Sequence, residues 1–173
     1  MALRSDYEGQ TCSLARSLEV VGERWTLLII RDLFFGVRRF TQLQEHLDIP
    51  RAVLSARLTA LVGRGLVERR PYRPGRDEFV LTECGLELWP VVVSLMGWGD
   101  RHFAGAGAGA PRVFSHVACG TDLTPSGHCP ACATDPPPEQ VEMRPARPGA
   151  PGREDAVSRA LRRRHRLLEP VAT

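Results

Sequence analysis

Between Arg38 and Leu81 the chain reads RRFTQLQEHLDIPRAVLSARLTALVGRGLVERRPYRPGRDEFVL, and this stretch leaves few folds open. Phe40, Leu43 and Leu47 share one face of a short helix over 40–47. Thr41 is a candidate cap for it, with Arg39 and Phe40 as alternatives. Asp48-Ile49-Pro50 reads as a turn, and Pro50 suits the first position of the next helix. Over 51–63, Leu54, Leu58 and Leu61 recur at i, i+4 and i+7 and point inward. Arg51, Ala52, Ser55, Arg57 and Thr59 are left toward solvent or a groove. Gly63 and Gly65 break the helix. Two strand-like runs follow at 66–70 and 77–81. The tip between them, Pro71-Tyr72-Arg73-Pro74-Gly75-Arg76, is expected to lie outside any regular ladder. Helix, tight turn, helix and hairpin make the order of a winged helix-turn-helix.

The flanks fit that core. Leu14, Leu18 and Val21 lie at helical spacing over 12–22, and Gly22 marks a stop. Residues 24–35, RWTLLIIRDLFF, form a nearly all-apolar helix with Arg31 and Asp32 on its polar side. Such a helix belongs at a domain centre or in a dimer interface. Thr82 is expected to cap a long helix over 82–102 with Leu86, Trp89, Val93 and Met96 as its apolar stripe. Pro90 is expected to kink it or to cost it hydrogen bonds locally. Trp98 and Phe103 extend the apolar surface beyond what a domain of about 100 residues hides alone. A homodimer with the first and last helices as its interface is therefore expected. The expected fold class is mainly α with a small β-hairpin wing, plus a small C-terminal module.

After residue 103 the composition changes. AGAGAGAP, 104–111, reads as a Gly/Ala hinge. Residues 112–134 hold the Cys/His module, 135–153 read as a Pro-rich linker or disorder, and 154–173 as a basic helix or tail. In the module, His116-x2-Cys119 and Cys129-x2-Cys132 offer four N/S ligands in two close pairs, the set zinc takes as a tetrahedron. Gly120 and Pro130 suit tight knuckles, and His128 is a spare ligand. The reading set against a structural zinc site is loose thiols. With all four positions supplied by protein, an open catalytic metal is not expected.

The net charge is only +3, but all 23 basic residues are Arg and none is Lys. Arg favours bidentate contacts to phosphate and guanine. A GC-rich coding sequence produces the same bias, and it explains the composition as a whole. Within the helix-turn-helix the candidates for DNA are more specific. Arg38, Arg39 and Arg73 or Arg76 are expected on phosphates or in the minor groove. Arg51, Ser55 and Arg57 are expected at base edges, beside Ala52 and Thr41. For Arg57 an intramolecular salt bridge competes with that role. No nucleophile–base pair, phosphate loop or open metal site suggests an enzyme. The N-terminus has no signal-peptide run, and the longest apolar run, Trp25–Ile30, is too short to span a bilayer, so a cytoplasmic protein is expected.

Several separate motifs, in order, resemble the HxlR family of bacterial transcriptional regulators over roughly residues 12–103. They are Cys12, GERWTLLIIRDL, G-x-RRF at 36–40, LSARLTALVGRGLV at 54–67 and the LT-x-x-G start of the last helix. The resemblance implies a winged-helix dimer on a two-fold symmetric operator. Ala52 and Val53 depart from the family's pattern in IPRAVLS, so its base contacts are not carried over. It also implies that Cys12 is a candidate redox or electrophile sensor, since a thiol at a helix start has a lowered pKa. The competing reading is a small residue packing the dimer helix. The leading expectation is a DNA-binding regulator, a repressor, controlled by thiol state or a small ligand. The alternative is a protein-interaction adaptor using the winged helix as scaffold and the zinc module as partner surface.

Overall fold

The computed structural model describes residue 7 and residues 11–103, 110–147 and 153–173. Most of the hinge, residues 104–109, lies outside them. The chain runs α1 (Ser13–Val21), α2 (Thr26–Phe34), α3 (Phe40–Leu47), α4 (Arg51–Gly63), β1 (Val67–Arg73), β2 (Arg76–Leu81), α5 (Glu83–Leu86) and α6 (Trp89–Phe103). It continues through β3 (Arg112–His116), a 3-10 turn at Pro138–Gln140, β4 (Val141–Pro145), α7 (Ala156–Ala160) and β5 (His165–Arg166).

The winged core follows the apolar periodicity. Ile29, Ile30, Leu33 and Phe34 of α2 pack with Leu43, Leu54, Leu58 and Leu61, all nearly inaccessible. The cap of α3 is Arg39, whose backbone N–H donates to Gln42 Oε1 at 3.1 Å; Thr41 sits exposed in the first turn. Asp48 takes the left-handed conformation (φ 53) that the tight turn needs. Pro50 caps α4 one residue before its first turn.

Three local expectations are corrected. The ladder continues through Pro71, paired with Asp77, and on to Arg73 opposite Arg76, with an irregularity between them. The tip shrinks to Pro74-Gly75. A two-stranded hairpin has only edges, so Pro71 can sit in β1 with its missing N–H turned away from the ladder. The long last helix is two helices, so of the two outcomes expected at Pro90 the local loss of hydrogen bonding is realised and the kink is not. Thr82 does cap its start, accepting from the Gly85 N–H at 3.2 Å, yet α5 ends at Leu86 and α6 restarts at Trp89. Pro90 lacks the N–H and crowds the carbonyl four residues back, and both penalties vanish in a first turn. Asp32, expected on a polar side, is wholly buried. Arg31 lies 2.6 Å from one of its carboxylate oxygens and His46 2.7 Å from the other.

The largest correction concerns residues after 134. The stretch expected as linker carries β4, which pairs antiparallel with β3 on one side and β5 on the other. The expected basic tail is helical only over α7, where Asp155 caps by accepting from the Ser158 N–H at 2.8 Å. Val157, Leu161, Leu167 and Val171 are buried and join the winged-helix core. Backbone bonds then strap the C-terminus to the end of α2. The Leu168 N–H donates to Phe34 O at 2.7 Å and the Val171 N–H to Gly36 O at 3.0 Å. Gly36 permits this: its φ is +78, and a Cβ there would lie 1.7 Å from Glu169 O. The aromatic rings repeat the connection. Phe34 and Trp89 lie 5.2 Å apart, and Trp89 meets Phe114 of β3 edge-on at 5.4 Å. Among the described residues no helix is long and apolar enough to cross a membrane.

Candidate nucleic-acid interface and metal cluster

Helix α4 turns Leu54, Leu58 and Leu61 inward, which leaves Arg51, Ala52, Ser55 and Thr59 exposed on one outer face. Arg51 stacks over the Phe40 ring at 5.2 Å and so stands at the start of the helix with its guanidinium on the surface. Arg57 is held by Glu23 at 3.4 Å, the intramolecular pairing that competed with a base contact. The hairpin is pinned beside the helices by the Phe79 N–H, which donates to Arg38 O at 2.8 Å. Arg39 stacks over Tyr72 at 4.8 Å. At the far end Arg73 and Arg76 are exposed, and no ion pair engages them among the described residues.

Arg38 is different. It pairs with Glu78 at 3.3 Å and donates to the Leu168 carbonyl, so its charge is committed to the strap and the wing. Sequence reasoning could not assign this, because Leu168 lies 130 positions away. The buried Arg31–Asp32–His46 group was equally invisible, since an i, i+1 pair on an apolar helix carries no signal of burial.

The four cysteine and histidine candidates converge. The ligand atoms of His116, Cys119, Cys129 and Cys132 all lie within 4.8 Å of one another, and this group could hold a metal ion. Cys119 Sγ is 3.5 Å from Cys129 Sγ and 3.6 Å from His116 Nδ1. Ligands on a tetrahedron with metal–sulfur bonds of about 2.3 Å stand roughly 3.8 Å apart, so the short pairs would open slightly and the longer ones close by up to about 1 Å. His116 comes from the end of β3, and the Gly120 N–H returns to its carbonyl at 2.7 Å, which closes the first pair into one turn. His116 Nε2 faces Gln140 Oε1 at 3.4 Å, a contact that favours Nδ1 as the free lone pair. The second pair is closed by the Cys129 N–H donating to Thr134 O at 2.8 Å. Hydrogen bonds from Thr121 pull the Cys119 thiol down to about 6, and the contact with Cys119 pushes Cys132 up to about 11. His128 is not a fifth ligand; it pairs with Asp135 at 2.8 Å.

Cys12 occupies the N-cap of α1 and is exposed. The Ala15 and Leu14 backbone N–H groups hold its thiol below the usual range.

Two helices joined by a tight turn, with the second helix presenting an exposed face beside a β-hairpin wing, define a winged helix-turn-helix. The chain belongs to the HxlR-like helix-turn-helix family, whose sequence profile matches residues 20–106. An HTH-type transcriptional regulator of Mycobacterium tuberculosis (strain CDC 1551 / Oshkosh) is 47% identical over 131 residues, 75% of this chain and 81% of the relative. A match of that length cannot end within residues 1–106, so it extends into the C-terminal part. The crystal structure of PA1607, described as a transcription factor, superposes with a TM-score of 0.53 at 31% identity, over 67% of this chain and 91% of that one. A MarR-family regulator from Porphyromonas gingivalis W83 superposes with a TM-score of 0.51 at 25% identity, over 54% of this chain and 95% of that one. The protein is a transcriptional regulator of the helix-turn-helix type and not an enzyme.

Proposed function

We propose that two copies of this chain bind a two-fold symmetric operator and act as a repressor by occupying it. The observation that carries this reading is the outer face of α4 with Arg51 and Ser55 uncommitted, beside the unpaired Arg73 and Arg76 of the wing. An α-helix fits the major groove, and the hairpin arginines suit the flanking phosphates or minor groove. The dimer is supported by apolar side chains that one copy leaves in water. Leu14 and Leu18 on α1, and Val91, Leu95, Trp98 and Phe103 on α6, are 38–72% exposed. The exposed Thr41 and Ala52, and Arg39 stacked on Tyr72 of the wing, are proposed as further contacts to the same DNA. Arg38 and Arg57 serve the fold first, through Glu78 and Glu23.

Selection of bound fragments from a genomic library is expected to return a motif with two half-sites and two chains per fragment. On that DNA, Arg51→Ala is expected to cost about 1–3 kcal/mol of discrimination with an unchanged melting temperature. Arg73→Ala with Arg76→Ala is expected to flatten the salt dependence of binding by about two charges, and Arg38→Ala to lower stability instead. A library that returns no motif would favour the adaptor reading.

Control is proposed to include the thiol of Cys12, supported by its exposure, its place on the exposed face of α1 and its lowered pKa. A mild oxidant is expected to release wild-type protein from the operator. Cys12→Ser should hold on; a variant that still lets go would exclude this cysteine as the sensor. The Cys/His cluster is proposed to hold a structural zinc ion, supported by the donor set and its spacing.

A further inference from the structure

Helix α6 presents two different faces. Val91, Leu95 and Trp98 face outward, whereas Trp89 and Val93 are buried on the side of the cysteine loops. On that second side a cleft of about 630 Å3 opens between α5, the start of α6, Ser126-Gly127 and residues 135–139. This lies within the size range of small-molecule sites. Gly127 lets the loop come down on the helix: its φ is +89, and a Cβ there would meet Val93 Cγ1 at 2.9 Å.

The lining separates into two chemistries. Leu86, Trp89, Val93 and the Pro136–Pro138 run make an apolar floor, and Glu83, Glu87, Asp135 and Glu139 make the rim. Among the described residues no Arg or His lines it. Asp135 is partnered by His128, but the carboxylates of Glu83, Glu87 and Glu139 enter no ion pair among the described residues. The chain as a whole is positive, with net charge +3, so this concentration of carboxylates runs against the background. An apolar floor containing an indole, edged by three carboxylates that enter no ion pair, suits a ligand with a broad apolar body and a delocalised positive charge.

We propose that this cleft binds a lipophilic organic cation of drug size, such as a phosphonium or quaternary ammonium ion carrying aromatic groups. The floor buries the body, and the rim supplies the counter-charge without requiring a single fixed ion pair. Helix α6 then stands between the ligand on one face and the proposed dimer contact on the other, so occupancy bears on the spacing of the two reading helices. That regulatory consequence rests on the proposed operator-binding dimer; the binding site does not.

The test uses the full chain with zinc and without DNA, titrated calorimetrically with tetraphenylphosphonium and with triphenylphosphine oxide as a neutral counterpart. The cation is expected to bind in the micromolar range and about tenfold or more tighter than the neutral compound. Glu87→Gln combined with Glu139→Gln is expected to weaken the cation about tenfold, leaving the neutral compound and the melting temperature unchanged. Equal affinities for the two compounds, an unaffected double variant, or no binding of the cation below about 1 mM would each overturn the proposal. Because no DNA is present, failure to find an operator leaves this result standing on its own.

Discussion

Phe34→Ala is expected to lower the free energy of unfolding by about 3–5 kcal/mol, read as a fall in the urea midpoint at unchanged slope. Phe34 is completely inaccessible. Its ring meets Trp89, and Trp89 meets Phe114 of the C-terminal sheet. Its carbonyl accepts the strap at Leu168. Truncation therefore leaves a cavity where the winged helix and the sheet share one core. Tryptophan fluorescence and far-ultraviolet circular dichroism should shift together, because a shared core unfolds as one cooperative unit. A loss under about 1 kcal/mol, or two separated transitions, would mean that the two halves are stable independently of this contact.

The second large effect is expected at the cluster. Protein purified without chelator should carry about one equivalent of zinc, and Cys129→Ala should carry less than about a tenth. Cys129 is the fully buried member of the four, and its sulfur lies against that of Cys119, so no water-exposed neighbour can replace it. Strands of five, five and two residues make a sheet too small to hold its loops unaided. Removing zinc from the wild type with a chelator should lower its melting temperature, by a step of several degrees, toward that of the variant. The chelator should leave the variant unmoved. Less than about half an equivalent in the wild type, or full zinc in Cys129→Ala, would remove the metal from this site.

The parts legible in the sequence were those whose signal is local. Leu54, Leu58 and Leu61 at helical spacing and the Asp48-Ile49-Pro50 turn gave the two helices at their observed bounds, and the paired runs gave the wing, with its first strand three residues too short. The two short Cys/His pairs named the four residues that converge in space as a possible metal site, because chelation from one turn demands close spacing. At Pro71 and Pro90 the outcome turned on the surroundings. Pro71 was tolerated because its strand is an edge, and Pro90 fell in a first turn because the helix broke before it. Both outcomes depend on what lies beside the proline rather than on the proline.

The amino-acid order by itself determined the winged helix, the apolar surplus on α1 and α6, and the four residues of the cluster, since periodicity, turn chemistry and ligand spacing act over a few residues. Only the tertiary structure decided the rest. Residues 135–147 and 153–171 read as linker and tail because β4 has five residues and β5 two, too short for any period to register, and are fixed by the pairing of β4 with β3 and by burying Val157, Leu161, Leu167 and Val171 in a core formed far upstream. The same long-range packing took Arg38 from the list of free cations, put Asp32 out of water, and brought Glu83 and Glu87 across from Asp135 and Glu139 to make a cleft that no stretch of sequence contains.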